Sequence, residues 1–149
     1  LLRNYSVFVA LLMLPFSAVL FLFAEPILSI WIDPRFAAQA GPILKIMAIA
    51  ALINGIAQIP YTMLQGMGRA DLTGKLHIME LPLYLSLLYL LTSQYGPQGA
   101  AWAWLIRITG DMIVLYYLNA RALRQQSRRE AANLKQTNMP AYDPKGSHS

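Results

Sequence analysis

Gly99, Ala103, Arg107 and Asp111 recur at intervals of four, so two small residues lead into two charges along one helix face. Small residues let a neighbouring helix approach closely, which implies that the charges following them point into a helical bundle. An ionised side chain near mid-bilayer costs roughly 2.5–3.5 kcal/mol on insertion scales unless it is paired or hydrated. Arg107 and Asp111 can pair with each other at this spacing. The other reading gives the Arg107 guanidinium fork to a phosphate. The spacing alone leaves both open.

Two further groups carry polar chemistry inside apolar segments. Asn54, Gln58, Thr62 and Gln65 follow one another at steps of four, four and three, with Tyr61 beside them. That stripe suits either a cavity wall or hydrogen bonding between helices, and it would be unfavourable against lipid. Pro60 lies within it and frees the carbonyl of Ile56, which permits a kink. His77, Glu80 and Tyr84 share a second face, with Pro82 between the last two. Glu80 is either an interfacial carboxylate or a proton-sensitive, gating one. Glu25 and Lys45 lie toward the outer side, where they either pair across two helices or sit hydrated at the interface.

Other chemistries are poorly supplied. Gly68 to Lys75 reads GRADLTGK, which misses phosphate-loop spacing by one residue, with five between the glycines instead of four, and has Leu76 where Ser or Thr is needed. Only His77 and His148 are present and there is no cysteine, so neither a metal constellation nor a cofactor is expected. No nucleophile–base arrangement or carboxylate pair supports an enzyme. The sequon at Asn4-Tyr5-Ser6 falls on the expected cytoplasmic side.

The elements that must position these residues are membrane helices. Of 149 residues, 56% are hydrophobic and 13% charged, against about 25% charged in soluble domains. Apolar runs near 20 residues match the roughly 30 Å hydrocarbon layer, and in lipid they must be helical. Four such segments stand out, at about 5–32 (interrupted at Pro15 and at Glu25-Pro26), 42–65, 76–93 and 98–119. The predicted fold is all-α and integral to the membrane, with a transmembrane bundle over 1–123 and a polar, basic tail over 124–149. The connections are short. Residues 66–75 form a polar hinge containing Gly66 and Gly68, and Gln94-Tyr95-Gly96-Pro97 is a tight turn.

The net charge of +5 belongs beside these segments rather than to nucleic acid, and half of the basic residues follow Asn119. Arg3, Arg69, Lys75 and the tail place both termini and the 66–75 loop in the cytoplasm, with Arg35 alone opposing. Trp31, Tyr95 and Trp102 mark the outer interface. Residues 121–135 either continue the last helix into water or lie on anionic lipid, and from Gln136 onward the composition predicts disorder. The chain opens on Leu1, and its first apolar segment lacks a cleavage pattern, which predicts an internal start within a longer protein.

The run IPYTMLQGMGRADLTGKLHIMELPLYLSLLYLL, then YGPQGAAWAWLIRITGD, resembles the C-terminal half of O-antigen-type polysaccharide flippases. These belong to the multidrug/oligosaccharidyl-lipid/polysaccharide exporter superfamily. FAEPILSIWIDPRFAAQAGPILKIM is similar too, and the resemblance extends over about residues 5–123. It implies part of the C-terminal lobe of a two-lobe, roughly twelve-helix transporter of the bacterial inner membrane. The implied function is flipping of undecaprenyl-pyrophosphate-linked oligosaccharide by alternating access. The implied partners are that lipid-linked glycan, membrane lipids, an N-terminal lobe outside this sequence and polysaccharide polymerase machinery.

On this resemblance Asn54, Gln58 and Thr62 would line the cavity and Arg107 would hold pyrophosphate. Asp111 or Glu80 would set its charge state, and Pro60, Pro82, Gly66 and Gly68 would be hinges. Two other functions stay open. A cation-coupled drug antiporter of the same superfamily would use Glu80 or Asp111 as its ion site. A non-transporting four-helix scaffold would need none of these groups.

Overall fold

The computed structural model describes residues 2–137, which form five helices: α1 (Leu2–Leu22), α2 (Ala24–Trp31), α3 (Pro34–Gly66), α4 (Ala70–Tyr95) and α5 (Pro97–Thr137). No strand occurs among the described residues.

The first predicted segment is two helices. The chain continues through Pro15 and breaks at Phe23. Pro26 explains the position of the break. It has no N–H, so the Leu22 carbonyl loses its helical donor, while Pro26 itself falls in the first turn of α2 where no donor is required. The backbone bonds Phe23 N–H to Val19 O and Ile27 N–H to Phe23 O, both at 2.9 Å, span the kink.

The second segment begins earlier than expected, at Pro34 instead of about residue 42. Asp33 caps the helix, its carboxylate accepting from Arg35 N–H at 2.8 Å, and Pro34 takes the first helical position. Pro42 and Pro60 both lie inside the helix without ending it. At 33 residues α3 is about 50 Å long, well beyond the hydrocarbon layer.

The 66–75 hinge contracts to Met67–Arg69. Gly68 has φ +71° and donates to Gln65 O at 2.9 Å, while Arg69 N–H reaches back to Leu64 O at 2.9 Å. That double bond pattern is a Schellman stop, and it requires the left-handed residue that glycine supplies. The last turn contracts further, to Gly96 alone at φ +60°. Beyond it, Gly99 packs so tightly that a Cβ there would lie 1.9 Å from the Leu91 carbonyl oxygen.

Among the described residues, those up to Asn119 form one compact unit and those from Ala120 onward a second. In the second, α5 stays helical through Gln136 and Thr137, where disorder was expected, and residues 138–149 lie outside the described residues. Its exposed surface carries a Gln126–Glu130 hydrogen bond of 3.4 Å, and Ser127 donates to Leu123 O.

Packing in the first unit reverses the pattern of a soluble protein. Its interior is rich in small residues, among them Ala24, Ala37, Ala48, Ala50, Ala57, Ala101 and Ala103. Phe8, Phe16, Trp31, Ile78, Leu83 and Tyr89 face outward. Small interior residues bring backbones close and apolar exteriors meet lipid. α1 lies on α3, with Met13 and Val9 against Gly55 and the Ser17 hydroxyl donating to Ala48 O. Ser6 and Tyr116 link α1 to α5 through their hydroxyls.

Among the described residues, three stretches are long and apolar enough to cross a membrane: Asn4–Leu22, Pro34–Gly66 and Ala70–Tyr95. The 98–119 segment, read from sequence as a fourth span, is not among them, and it is the segment carrying Arg107 and Asp111.

Candidate functional site

The buried face of α5 places the central residues. Gly99, Ala103, Leu115 and Asn119 are buried, and Arg107 and Asp111 are partly so. This is a single ridge at i+4 spacing, the kind that seats in a neighbouring helix groove. Gly99 closes the α4–α5 gap at one end, and the charges enter the bundle two and three steps further along.

Arg107 pairs across helices. Its Nε lies 3.8 Å from Glu80 Oε2 on α4, with the two side chains 24% and 15% exposed. The within-helix Arg107–Asp111 pairing that the spacing permits is not the ion pair formed. Two aromatic rings hold the guanidinium, its carbon being 5.1 Å from the Tyr84 ring centre and 5.4 Å from that of Trp104. Those rings meet edge to face at 6.2 Å. A cation placed between aromatic faces gains attraction beyond its ion pair.

His77 sits one turn before Glu80. Its Nδ1 lies 2.7 Å from the Thr73 carbonyl oxygen, which can only accept, so Nδ1 carries the proton. Tyr61 of α3 meets the imidazole edge to face at 6.0 Å. Ligand-capable atoms of His77, Glu80 and Asp111 all lie within 4.8 Å of one another. Counting histidines excluded a metal constellation; the fold assembles one histidine with two carboxylates instead.

These groups open onto a cavity of about 400 Å³ lined by Asn54, Ala57, Gln58, Tyr61, His77, Trp104, Arg107, Ile108, Asp111 and Leu115. Of the predicted stripe, Asn54, Gln58 and Tyr61 reach it. Thr62 and Gln65 are exposed, and Thr62 uses its hydroxyl on the Gln58 and Ile59 carbonyls of its own helix at 2.9 and 3.1 Å. Glu80 is not one of the lining residues and reaches the site as the partner of Arg107.

The hinge candidates divide. Gly68 is the left-handed stop, whereas a Cβ on Gly66 would meet no atom within 4 Å. Pro82 is exposed in a continuous α4, where its carbonyl accepts from Ser86 at 2.9 Å. Pro60 is buried, and its carbonyl accepts from Asn119 Nδ2 at 2.6 Å. Between α2 and α3, Lys45 and Glu25 form a 2.8 Å pair that stays half-exposed.

Sequence reasoning missed Asn119 and Trp104. Asn119 was legible as the next steps of the i+4 ridge beyond Asp111. Trp104 is set apart from Trp102 only by facing α4, which a tryptophan-rich run does not reveal.

Outward apolar helices, an alanine-rich interior and a polar cavity with inward charges define a multi-pass membrane protein with an internal polar site. Residues 1–90 match the MatE family, and the chain belongs to it. It is also 33% identical over 111 residues to a Shigella flexneri protein described as "Putative O-antigen transporter". That alignment takes in 74% of this chain and 27% of the relative, so the chain spans about a quarter of the relative's length. No solved structure matches the chain.

Proposed function

We propose that this chain is the C-terminal part of a transporter that flips undecaprenyl-pyrophosphate-linked oligosaccharide across the bacterial inner membrane. The observation that carries this reading is Arg107, held by Glu80, Tyr84 and Trp104 at a 400 Å³ polar cavity inside an apolar bundle. A guanidinium fork suits a phosphate, and a fixed one loses less freedom on binding. Similarity to the O-antigen transporter supports a glycan as the cargo. The segment 98–119 then serves as a fourth crossing, its charges shielded by α3 and α4. Both termini are cytoplasmic, an N-terminal lobe supplies the opposite cavity wall, and polymerase machinery receives the flipped glycan. Pro60 within α3 and the stop at Gly68 are the places where helices bend between inward- and outward-open states.

The test uses the full-length protein in cells lacking their own flippase, with surface glycan scored at matched expression. Arg107→Ala abolishes display while the protein stays folded. If Arg107→Ala displays normally, the phosphate role is wrong. If Arg107→Ala combined with Glu80→Ala restores what each single change loses, the pair is a structural lock.

A second reading has its own observation. Glu80 and Asp111 converge with His77, as a cation-coupled drug antiporter would require. It predicts that Asp111→Asn and Glu80→Gln abolish drug efflux while Arg107→Ala does not.

A further inference from the structure

We propose that His77, Glu80 and Asp111 bind one divalent transition-metal ion of the manganese, cobalt or zinc class, and that its binding releases Arg107 from Glu80. The release step rests on the anion-binding role given to Arg107 above; the metal site does not.

The histidine carries the argument. Because Nδ1–H is committed to the Thr73 carbonyl at 2.7 Å, a neutral His77 presents its lone pair on Nε2. Ligating histidines are oriented in this way, with the second ring nitrogen donating to a carbonyl. His77 and Glu80 are three residues apart on α4, so their side chains share one face, and Asp111 approaches from α5. A histidine and a carboxylate at i, i+3, completed by a carboxylate from a facing helix, is how metal sites are built within helical bundles.

Charge supplies an independent reason. When both carboxylates are ionised they outnumber the one guanidinium, leaving one negative charge in excess. Asp111 Oδ1 is buried and accepts no hydrogen bond, and buried Glu80 Oε2 has only the 3.8 Å approach of Arg107 Nε, too long for a hydrogen bond. Buried oxygens of this kind are costly to leave unmatched in an apolar bundle. A divalent ion would match both. It would also turn the excess to one positive charge, which resides on Arg107, and an anion entering the cavity would restore neutrality. Metal and anion should therefore bind with positive coupling.

The donor set selects the class. One imidazole nitrogen with two carboxylate oxygens suits manganese, cobalt or zinc better than calcium or magnesium, which favour oxygen alone, or copper(I), which favours sulfur. The ligand atoms span up to 4.8 Å, whereas donors about 2.1 Å from a tetrahedral ion lie roughly 3.4 Å apart. The side chains must close by up to about 1.4 Å, and in the proposed release Glu80 turns from Arg107 toward the ion.

The experiment titrates metal-stripped full-length protein in lipid nanodiscs with Co²⁺, following visible absorption and heat. The expected result is one Co²⁺ per chain, with affinity at least tenfold weaker in His77→Gln and in Asp111→Asn. Arg107→Gln should bind Co²⁺ more tightly than wild type, because it removes the competing cation. Loss of fold would not produce that gain. Failure of the wild-type protein to bind stoichiometric Co²⁺, or equal affinity in all variants, overturns the site. So does proton uptake by the cluster without any metal uptake.

Inorganic pyrophosphate, titrated with and without Co²⁺, tests the release. Tighter pyrophosphate binding with Co²⁺, lost in Arg107→Gln, supports it, and no change overturns it. A chain that binds Co²⁺ but displays no surface glycan retains the metal site and loses the flippase reading.

Discussion

Asn119, 1% exposed on α5, donates its amide to the Pro60 carbonyl of α3 at 2.6 Å and to Leu115 O at 3.1 Å. Proline inside a helix already removes one backbone bond, and here its own carbonyl is held by a side chain from another helix. The amide thereby ties the Pro60 turn of α3 to the ridge that carries Arg107 and Asp111.

Changing Asn119 to Ala should destabilise the bundle by about 1–3 kcal/mol, the cost of leaving buried polar groups unmatched. Asn119→Asp should be worse despite its similar shape, because it sets a carboxylate oxygen against two carbonyls. Thermal unfolding in detergent ranks the three proteins; equal midpoints for Ala and Asp would remove the hydrogen bond from the explanation.

Three glycines should respond differently to the same added methyl group. Gly99→Ala places a Cβ 1.9 Å from the Leu91 carbonyl and should separate α4 from α5, with a penalty of about 1–3 kcal/mol or more for overpacking. Gly68→Ala should be destabilising through its φ of +71°. Gly66→Ala has open space and should be neutral or slightly stabilising. The monodisperse fraction after mild heating, read by size-exclusion chromatography, tests the order.

What the sequence disclosed follows from the range of the physics involved. Relations within one helix were readable, so the α5 ridge, the Asn54–Gln58 face and the His77–Glu80–Tyr84 face appear before any fold is known. Relations between helices were not. Spacing offered Arg107 its neighbour Asp111, while packing gave it Glu80, because α4 approaches closely at Gly99 and brings Glu80 within reach. The start of α3 was obscured by Gly41-Pro42, which resembles a helix opening, although Asp33-Pro34 supplies the stronger cap. Thr62 shared a stripe with Asn54 and Gln58, but its hydroxyl found carbonyls on its own helix first.

The Lys45–Glu25 pair offers a contrast to the buried one. Its side chains are 36% and 53% exposed, so it should contribute no more than about 1 kcal/mol, and less at high salt. Gly41→Ala pushes a Cβ to 2.5 Å from Glu25 Cγ and should displace that exposed side chain. The expected outcome is a small stability change shared by Gly41→Ala and Lys45→Ala that does not add in the double variant. Full additivity would show that the glycine acts elsewhere.

The aromatic clamp on Arg107 yields the most specific functional expectation. Tyr84 and Trp104 hold the guanidinium carbon at 5.1 and 5.4 Å, and each such contact contributes about 0.5–2 kcal/mol according to how far it is desolvated. Tyr84→Phe keeps the ring face and should leave pyrophosphate binding to the full-length protein within about twofold, since the phenol adds little to that face. Tyr84→Leu and Trp104→Leu keep bulk but lose the face. They should weaken binding by about 2- to 30-fold each, the same 0.5–2 kcal/mol expressed as a ratio. In an Arg107→Gln background both leucine changes should have no further effect, because the group they orient is gone. If they weaken binding equally in that background, the rings contact the ligand themselves, and the clamp is a wall of the cavity and not a support for the arginine.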